Sequence, residues 1–153
     1  MLCVLMLVGL LKNQRMTGMI KTYSELRRLE TFEERFQYLK LGGQVGSSTF
    51  GFDRHINQAF YDSPEGAHAR DEAILRDHGC DLGIEGYEIH SNILIHHITP
   101  IVLADIMNRE PWVYDLENLI TTTKRTHNAI HYGAEDPYPV VVTARMPNDT
   151  KLW

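Results

Sequence analysis

His96 and His97 adjoin at the end of the apolar run Ile93-Leu-Ile95, and His127 and His131 follow at a four-residue interval. Half of the chain's eight histidines thus fall in two short windows. Neutral imidazole is the commonest protein ligand for divalent metals and titrates near neutrality. Residues i and i+4 share one face of a helix, whereas neighbours on a strand face opposite ways. If His96 ends a strand and His127 and His131 ride one helix, those three rings can converge on one ion while His97 points elsewhere. Three protein ligands leave coordination positions open, as a catalytic site requires; structural zinc sites are closed by four. His97 is then available to take a proton from water, and the ion would stabilise charge on a phosphate oxygen. A histidine pair on a helix is by itself ordinary surface decoration, and a His-His step is an ordinary polar patch. The combination is what points to metal.

Those rings need a scaffold. Thr22 to Leu41 reads as helical, with Thr31-Phe-Glu-Glu34 as a capping box and Phe32, Phe36 and Leu39 on one face. Gly42-Gly43 stops it, and Gln44 to Gly51 is a loop. Phe52, Ile56 and Phe60 recur at helical spacing. Ser63-Pro64-Glu65 opens a helix that runs to about His78 and ends at Gly79. Tyr87–Ile89 and Ile93–His97 read as two strands of a hairpin turning at His90-Ser-Asn92, the second ended by Pro100. Ile101 to Asn108 reads as a helical turn and Asp115 to Leu119 as a loop. A helix begins near Thr123, carries His127 and His131, and closes at Tyr132-Gly133. Residues 134–153, with three prolines and Val140-Val-Val142, form an extension, either a loosely attached strand or disordered.

The bulk numbers set limits. The 153 residues suit one domain, and a charge of -5 argues against a strongly basic nucleic-acid binder. Cys3 and Cys80 form no Cys-x-x-Cys pair, so neither a thiolate zinc knuckle nor a disulfide framework is expected, and a reducing, cytoplasmic setting fits. The apolar run Met1–Leu11 is shorter than the roughly 20 residues of a membrane span. Met16 and Met19 are alternative starts. Residues 1–21 are therefore expected to be a tail or an upstream extension, with no stable membrane association.

Ile95-His-His-Ile-Thr-Pro100 resembles the strand motif of HNH (His-Me finger, ββα-metal) endonucleases, in the His-His-x-x-Pro form of colicin-type DNases. Glu117-Asn-Leu-Ile-Thr-Thr-Thr-Lys-Arg-Thr-His-Asn128 is similar, without gaps, to the family's Glu-Asn-Leu-x-x-Leu-Cys-x-x-Cys-His-Asn stretch. The resemblance is specific over residues 80–133. Phe50 to Gly86, including Arg70-Asp71 and Arg76-Asp-His-Gly-Cys-Asp-Leu-Gly83, looks like HNH-type proteins of bacteriophages.

The resemblance implies an α+β fold: one domain over 22–133, N-terminal helices packed on a ββα-metal core of about residues 80–133. It makes His97 the general base, His96 and His127 metal ligands, His131 the extra helix ligand of the colicin-type site, and Asn118 the residue that holds the loop and orients the base. It implies one divalent ion, among Mg, Mn, Zn, Ni and Co; by affinity three imidazoles suit Zn, Ni or Co. Thr123 and Thr126 stand where the family has knuckle cysteines, so its accessory structural zinc is not expected, and Gly66 stands where phage relatives carry an aromatic. The motif assigns no phosphate clamp; Arg125, Lys124, Arg70 and Arg76 are candidates.

The implied function is a metal-dependent DNA endonuclease or nickase, phage-encoded and acting in the host cytoplasm. Between residues 91 and 133, Asp105, Glu110, Asp115 and Glu117 outnumber Arg109, Lys124 and Arg125. DNA affinity comes mostly from neutralised phosphates, so binding is expected to be weak, salt-sensitive and without sequence specificity unless a partner adds positive surface. The alternative is a non-catalytic module that binds a phage or host protein in packaging or counter-defence. There a structural metal would be closed by a fourth ligand such as Asp105, Glu117 or His90.

Overall fold

Thr31 decides the arrangement of the N-terminal helices. In the computed structural model, which describes residues 20–41 and 54–133, its hydroxyl accepts from the Glu34 N–H at 3.2 Å and the Glu34 carboxylate accepts from the Thr31 N–H at 3.1 Å. An N-cap has extended backbone, and Thr31 sits at φ -98°, ψ 156°. The capping box therefore excludes the single helix expected over Thr22–Leu41. The chain forms α1 (Tyr23–Leu26), capped by Thr22, and α2 (Phe32–Leu39). Buried Arg35 ties the break together, donating to the carbonyls of Leu29 (2.8 Å) and Leu82 (2.8 Å). Phe32, Phe36 and Leu39 are buried as their spacing predicts.

Helix α3 (Arg54–Tyr61) leads through Ser63 into α4 (Pro64–Arg76). Ser63 caps α4 by accepting from the Gly66 N–H at 3.1 Å, with Pro64 in the first turn. A Cβ on Gly66 would meet the Phe60 carbonyl oxygen at 2.5 Å, so only glycine lets α3 and α4 close this tightly. The buried stripe of α4, undecided in the sequence, is Ala69 and Ala73, whose small side chains let the helix lie close on the sheet.

That sheet corrects the expected hairpin. Strand β1 (Leu94–His97) pairs antiparallel with β2 (Leu119–Thr122), in the register Leu94↔Thr122, Ile95↔Thr121, His96↔Ile120 and His97↔Leu119. Tyr87–Ile89 instead folds back on the turn after α4, through a bridge between Cys80 and Glu88 and a bond from the Ile89 N–H to the Gly79 carbonyl. The supposed loop Asp115–Leu119 is a single 3-10 turn, Leu116–Asn118, running straight into β2. All of β2 is buried, and its Leu-Ile-Thr-Thr sequence suits that place better than the short, half-polar Tyr87–Ile89 does. Between the strands lie a short helix, α5 (Leu103–Met107), and a 3-10 turn, Pro111–Val113. After β2 comes α6 (Lys124–Tyr132), capped by Thr123 and stopped by Gly133 at φ 65°.

The order is thus helices, strand, long connection, strand, helix, an α+β arrangement. Alternation places Leu94, His96, Ile120 and Thr122 on one face of the sheet and Ile95, His97, Leu119 and Thr121 on the other. The first face packs with α6, where Ile120 joins Ala129, Ile130 and the α2 residues in the main core. The second packs on α4, where Leu119 meets Ala69 and Ala73. No described helix is long and apolar enough to cross a membrane. The expectations for residues 1–19, 42–53 and 134–153 lie outside the described residues.

Candidate metal centre

Strand β1 and helix α6 bring three imidazoles to one point. The ring centroids of His96 and His127 are 5.4 Å apart, those of His96 and His131 5.1 Å, and those of His127 and His131 4.5 Å. One nitrogen from each ring lies within 4.8 Å of the others. His96 is 2 % exposed, and the two helix rings are half-buried. His96 Nε2 and His131 Nδ1 are buried with no hydrogen-bond partner. Buried polar atoms are normally satisfied, so orphaned nitrogens on two rings of this cluster fit a metal ion. Burial lowers the pKa of all three rings, that of His96 well below its usual value and that of His131 to about 4. The neighbouring imidazoles push His96 and His131 down further. The rings are thus held neutral, as ligation requires. Among the described residues this is the one such group, and no fourth His, Cys, Asp or Glu joins it.

The alternative fourth ligands are occupied or placed elsewhere. Asp105 accepts from the Val102 N–H at 3.0 Å, Glu117 accepts from the Ser24 N–H and hydroxyl at 3.0 and 2.9 Å, and His90 is exposed.

His97 lies on the opposite face, as alternation demands. Its Nε2 is 3.0 Å from the Val113 carbonyl oxygen, and its ring is 6.4 Å from that of Phe60. A carbonyl only accepts, so Nε2 carries the proton and Nδ1 keeps the lone pair. Burial lowers its pKa to about 4, against a smaller opposing effect of the Val113 bond. Asn118 clamps the strand's exit. Its Oδ1 accepts from the Thr99 N–H at 2.7 Å, its Nδ2 donates to the carbonyl of Thr99 at 3.3 Å and that of Trp112 at 3.5 Å, and its own carbonyl accepts from the Ile98 N–H at 2.8 Å. One side chain thus joins the residues after His97 to the segment beside Val113.

The four basic candidates separate. Arg76 grips Asp77 with two bonds of 2.8 and 3.0 Å, donates to the carbonyls of Leu116 (2.6 Å) and Leu119 (2.7 Å), and stacks 3.4 Å over the Tyr23 ring. Its donors are committed to the fold, which removes it as a phosphate contact. Arg70 is exposed and lines a cavity that His97 also lines. Lys124 and Arg125 are exposed in the first turn of α6.

Two buried acids escaped the sequence reading. Asp77 accepts from the N–H and hydroxyl of Thr121 at 2.9 and 3.0 Å. Asp81 accepts from the hydroxyls of Thr123 (2.8 Å) and Thr126 (2.5 Å), which occupy the expected knuckle-cysteine positions. Asp81 thereby docks the start of α6, the helix that carries two of the cluster's rings. Paired hydroxyls at Thr123 and Thr126 were the only visible hint, and their partner lies forty-odd residues upstream.

Compared with known proteins, the chain shows no significant match to any family model, curated protein or solved structure.

Proposed function

We propose that this protein is a metal-dependent endonuclease or nickase of the HNH (ββα-metal) kind, hydrolysing DNA phosphodiesters. The observation that carries this reading is the convergence of the His96, His127 and His131 nitrogens within 4.8 Å without a fourth described ligand. An open three-ligand set belongs to catalysis, a closed four-ligand set to structure. The sheet is not the hairpin that the ββα-metal reading expects, but both of its strands precede the helix that carries His127 and His131.

His96, His127 and His131 would hold the ion. A divalent cation there supplies Lewis acidity toward a phosphate oxygen and the leaving 3′ oxygen. His97, fixed through Nε2 by Val113, presents Nδ1 as the base for the attacking water. An anionic phosphate nearby raises the low pKa of that ring toward the working range. Asn118 keeps the strand exit and the Val113 segment in one register. Arg70, Lys124 and Arg125 supply phosphate contacts.

Plasmid nicking across a panel of divalent ions tests the assignment. His97→Ala should lower the cleavage rate about 10²- to 10⁴-fold, the usual worth of a general base, with metal binding intact by calorimetry. His127→Ala should lose metal binding and cleavage together. A His97→Ala protein that cuts as fast as wild type refutes the role of His97, and an absence of cleavage with every ion refutes the nuclease.

A further inference from the structure

Across the sheet from the imidazole cluster lies a cavity of about 270 Å³ whose walls are almost wholly apolar. Phe60 and Tyr114 stack within it, centroids 4.9 Å apart, and Tyr61 stands edge-on to Phe60 at 5.0 Å. His97 lines it too. The exposed lining residues, Tyr61 and Arg70, form its mouth, and the Arg70 guanidinium is only loosely engaged, 3.9 Å from Asp71. The space falls just below the roughly 300–1,000 Å³ of small-molecule sites, so it suits one ring-sized group better than a whole ligand.

We propose that this cavity receives one unpaired nucleobase, so that the site acts on single-stranded or distorted DNA in preference to an intact duplex; this rests on the nuclease reading above. Aromatic walls offer stacking that accepts any base. A cation at the mouth matches the phosphate that every nucleotide carries, whereas a purely apolar occupant would leave it unused. A base lodged here sets its nucleotide beside His97, which lines the same cavity. A paired base cannot enter without leaving its stack, and unpaired or mispaired bases do so at least cost. The arrangement also answers the charge of -5. Stacking adds affinity that does not depend on counterion release, so few phosphate contacts suffice.

The test uses the full chain in EDTA, which prevents cleavage, and an oligodeoxynucleotide carrying one 2-aminopurine in a single strand, in a one-base bulge or fully paired. The expected result is a fluorescence change with the first two probes and binding at least about tenfold tighter than to the duplex. Tyr61→Ala should weaken binding to the unpaired probes by about tenfold, as loss of one base–aromatic stack does, and Tyr61→Phe should restore it. Arg70→Ala should reduce the salt slope of single-strand binding by about 0.7. Circular dichroism verifies that the variants fold. Equal affinity for all three probes, or unaltered binding by folded Tyr61→Ala, overturns the proposal. Metal-dependent nicking of a relaxed duplex plasmid alongside equal probe binding sinks the cavity and leaves the nuclease. Selective binding of unpaired probes without cleavage under any ion sinks the nuclease and leaves the cavity.

Discussion

His96 and His97 are covalent neighbours on opposite faces of the sheet, and the pleat of β1 is the reason. His96 Nε2 and His131 Nδ1 are buried without hydrogen bonds, and each such atom costs about 1–3 kcal/mol. The metal-free fold therefore carries a penalty that an ion would relieve. Replacing a buried polar group by an apolar one of similar shape is often neutral or stabilising. His96→Leu should hence leave the melting temperature without metal unchanged or higher, while abolishing the rise on adding zinc. A marked loss of stability in chelator would show that His96 serves the fold instead. Arg76 behaves oppositely. Removing it leaves the carboxylate of Asp77, which is 2 % exposed, without its counter-charge, and breaking a buried pair costs about 3–5 kcal/mol. Arg76→Ala should fall by that amount in chemical denaturation, whereas exposed Arg70→Ala should be near neutral. From sequence these two arginines were indistinguishable, because what separates them is contact with residues forty positions away.

At the scale of elements, legibility followed the range of the interactions. The caps at Thr31, Ser63 and Thr123 and the αL stop at Gly133 were readable because every partner lies within a turn of the chain. The i, i+4 placement of His127 and His131 was readable for the same reason. The pairing of β1 was not. Its partner is β2, across the connection 98–118, and two four-residue strands carry too little pattern to announce each other. A nearer, half-polar segment, Tyr87–Ile89, competed for the assignment and lost, because β2 supplies the residues that both faces of the sheet must bury. What holds the connection is Asn118, braced from outside where Lys21 accepts from the Thr99 hydroxyl and Ser24 donates to Glu117. Asn118→Ala should therefore keep the zinc-induced thermal shift, since all three clustered rings sit elsewhere. Its nicking rate should fall about 10- to 100-fold, the usual cost of losing a partner just outside a site. Loss of the zinc shift would place Asn118 in the metal-binding scaffold and not in the support of His97.

Among the described residues four imidazoles are buried or half-buried in the sheet and α6, two on β1 and two on α6, and burial lowers the pKa of each. This fixes the direction of the molecule's acid response. In the unfolded chain histidines take up protons near 6.5; in the fold His97 and His131 do so only at about 4. The unfolded state therefore binds more protons between those values. Stability supplied by the neutral rings is complete above about 6.5 and is lost as pH falls toward about 4. Asp81, raised by its burial, contributes in the opposite sense, but it is one group against four. Zinc binds only the deprotonated rings, so its stabilisation shrinks over the same range. Thermal melts from pH 7.5 to pH 5 should show a melting temperature in EDTA that declines with acid, and a zinc-induced rise that is large at the upper end and vanishes toward the lower. His96→Leu should flatten both dependences, because it removes a buried ring whose pKa is held well below its usual value and one of the three clustered imidazoles. A metal-free protein equally stable or more stable at pH 5 would mean that these rings are solvated in solution, and the shared cation site would go with them.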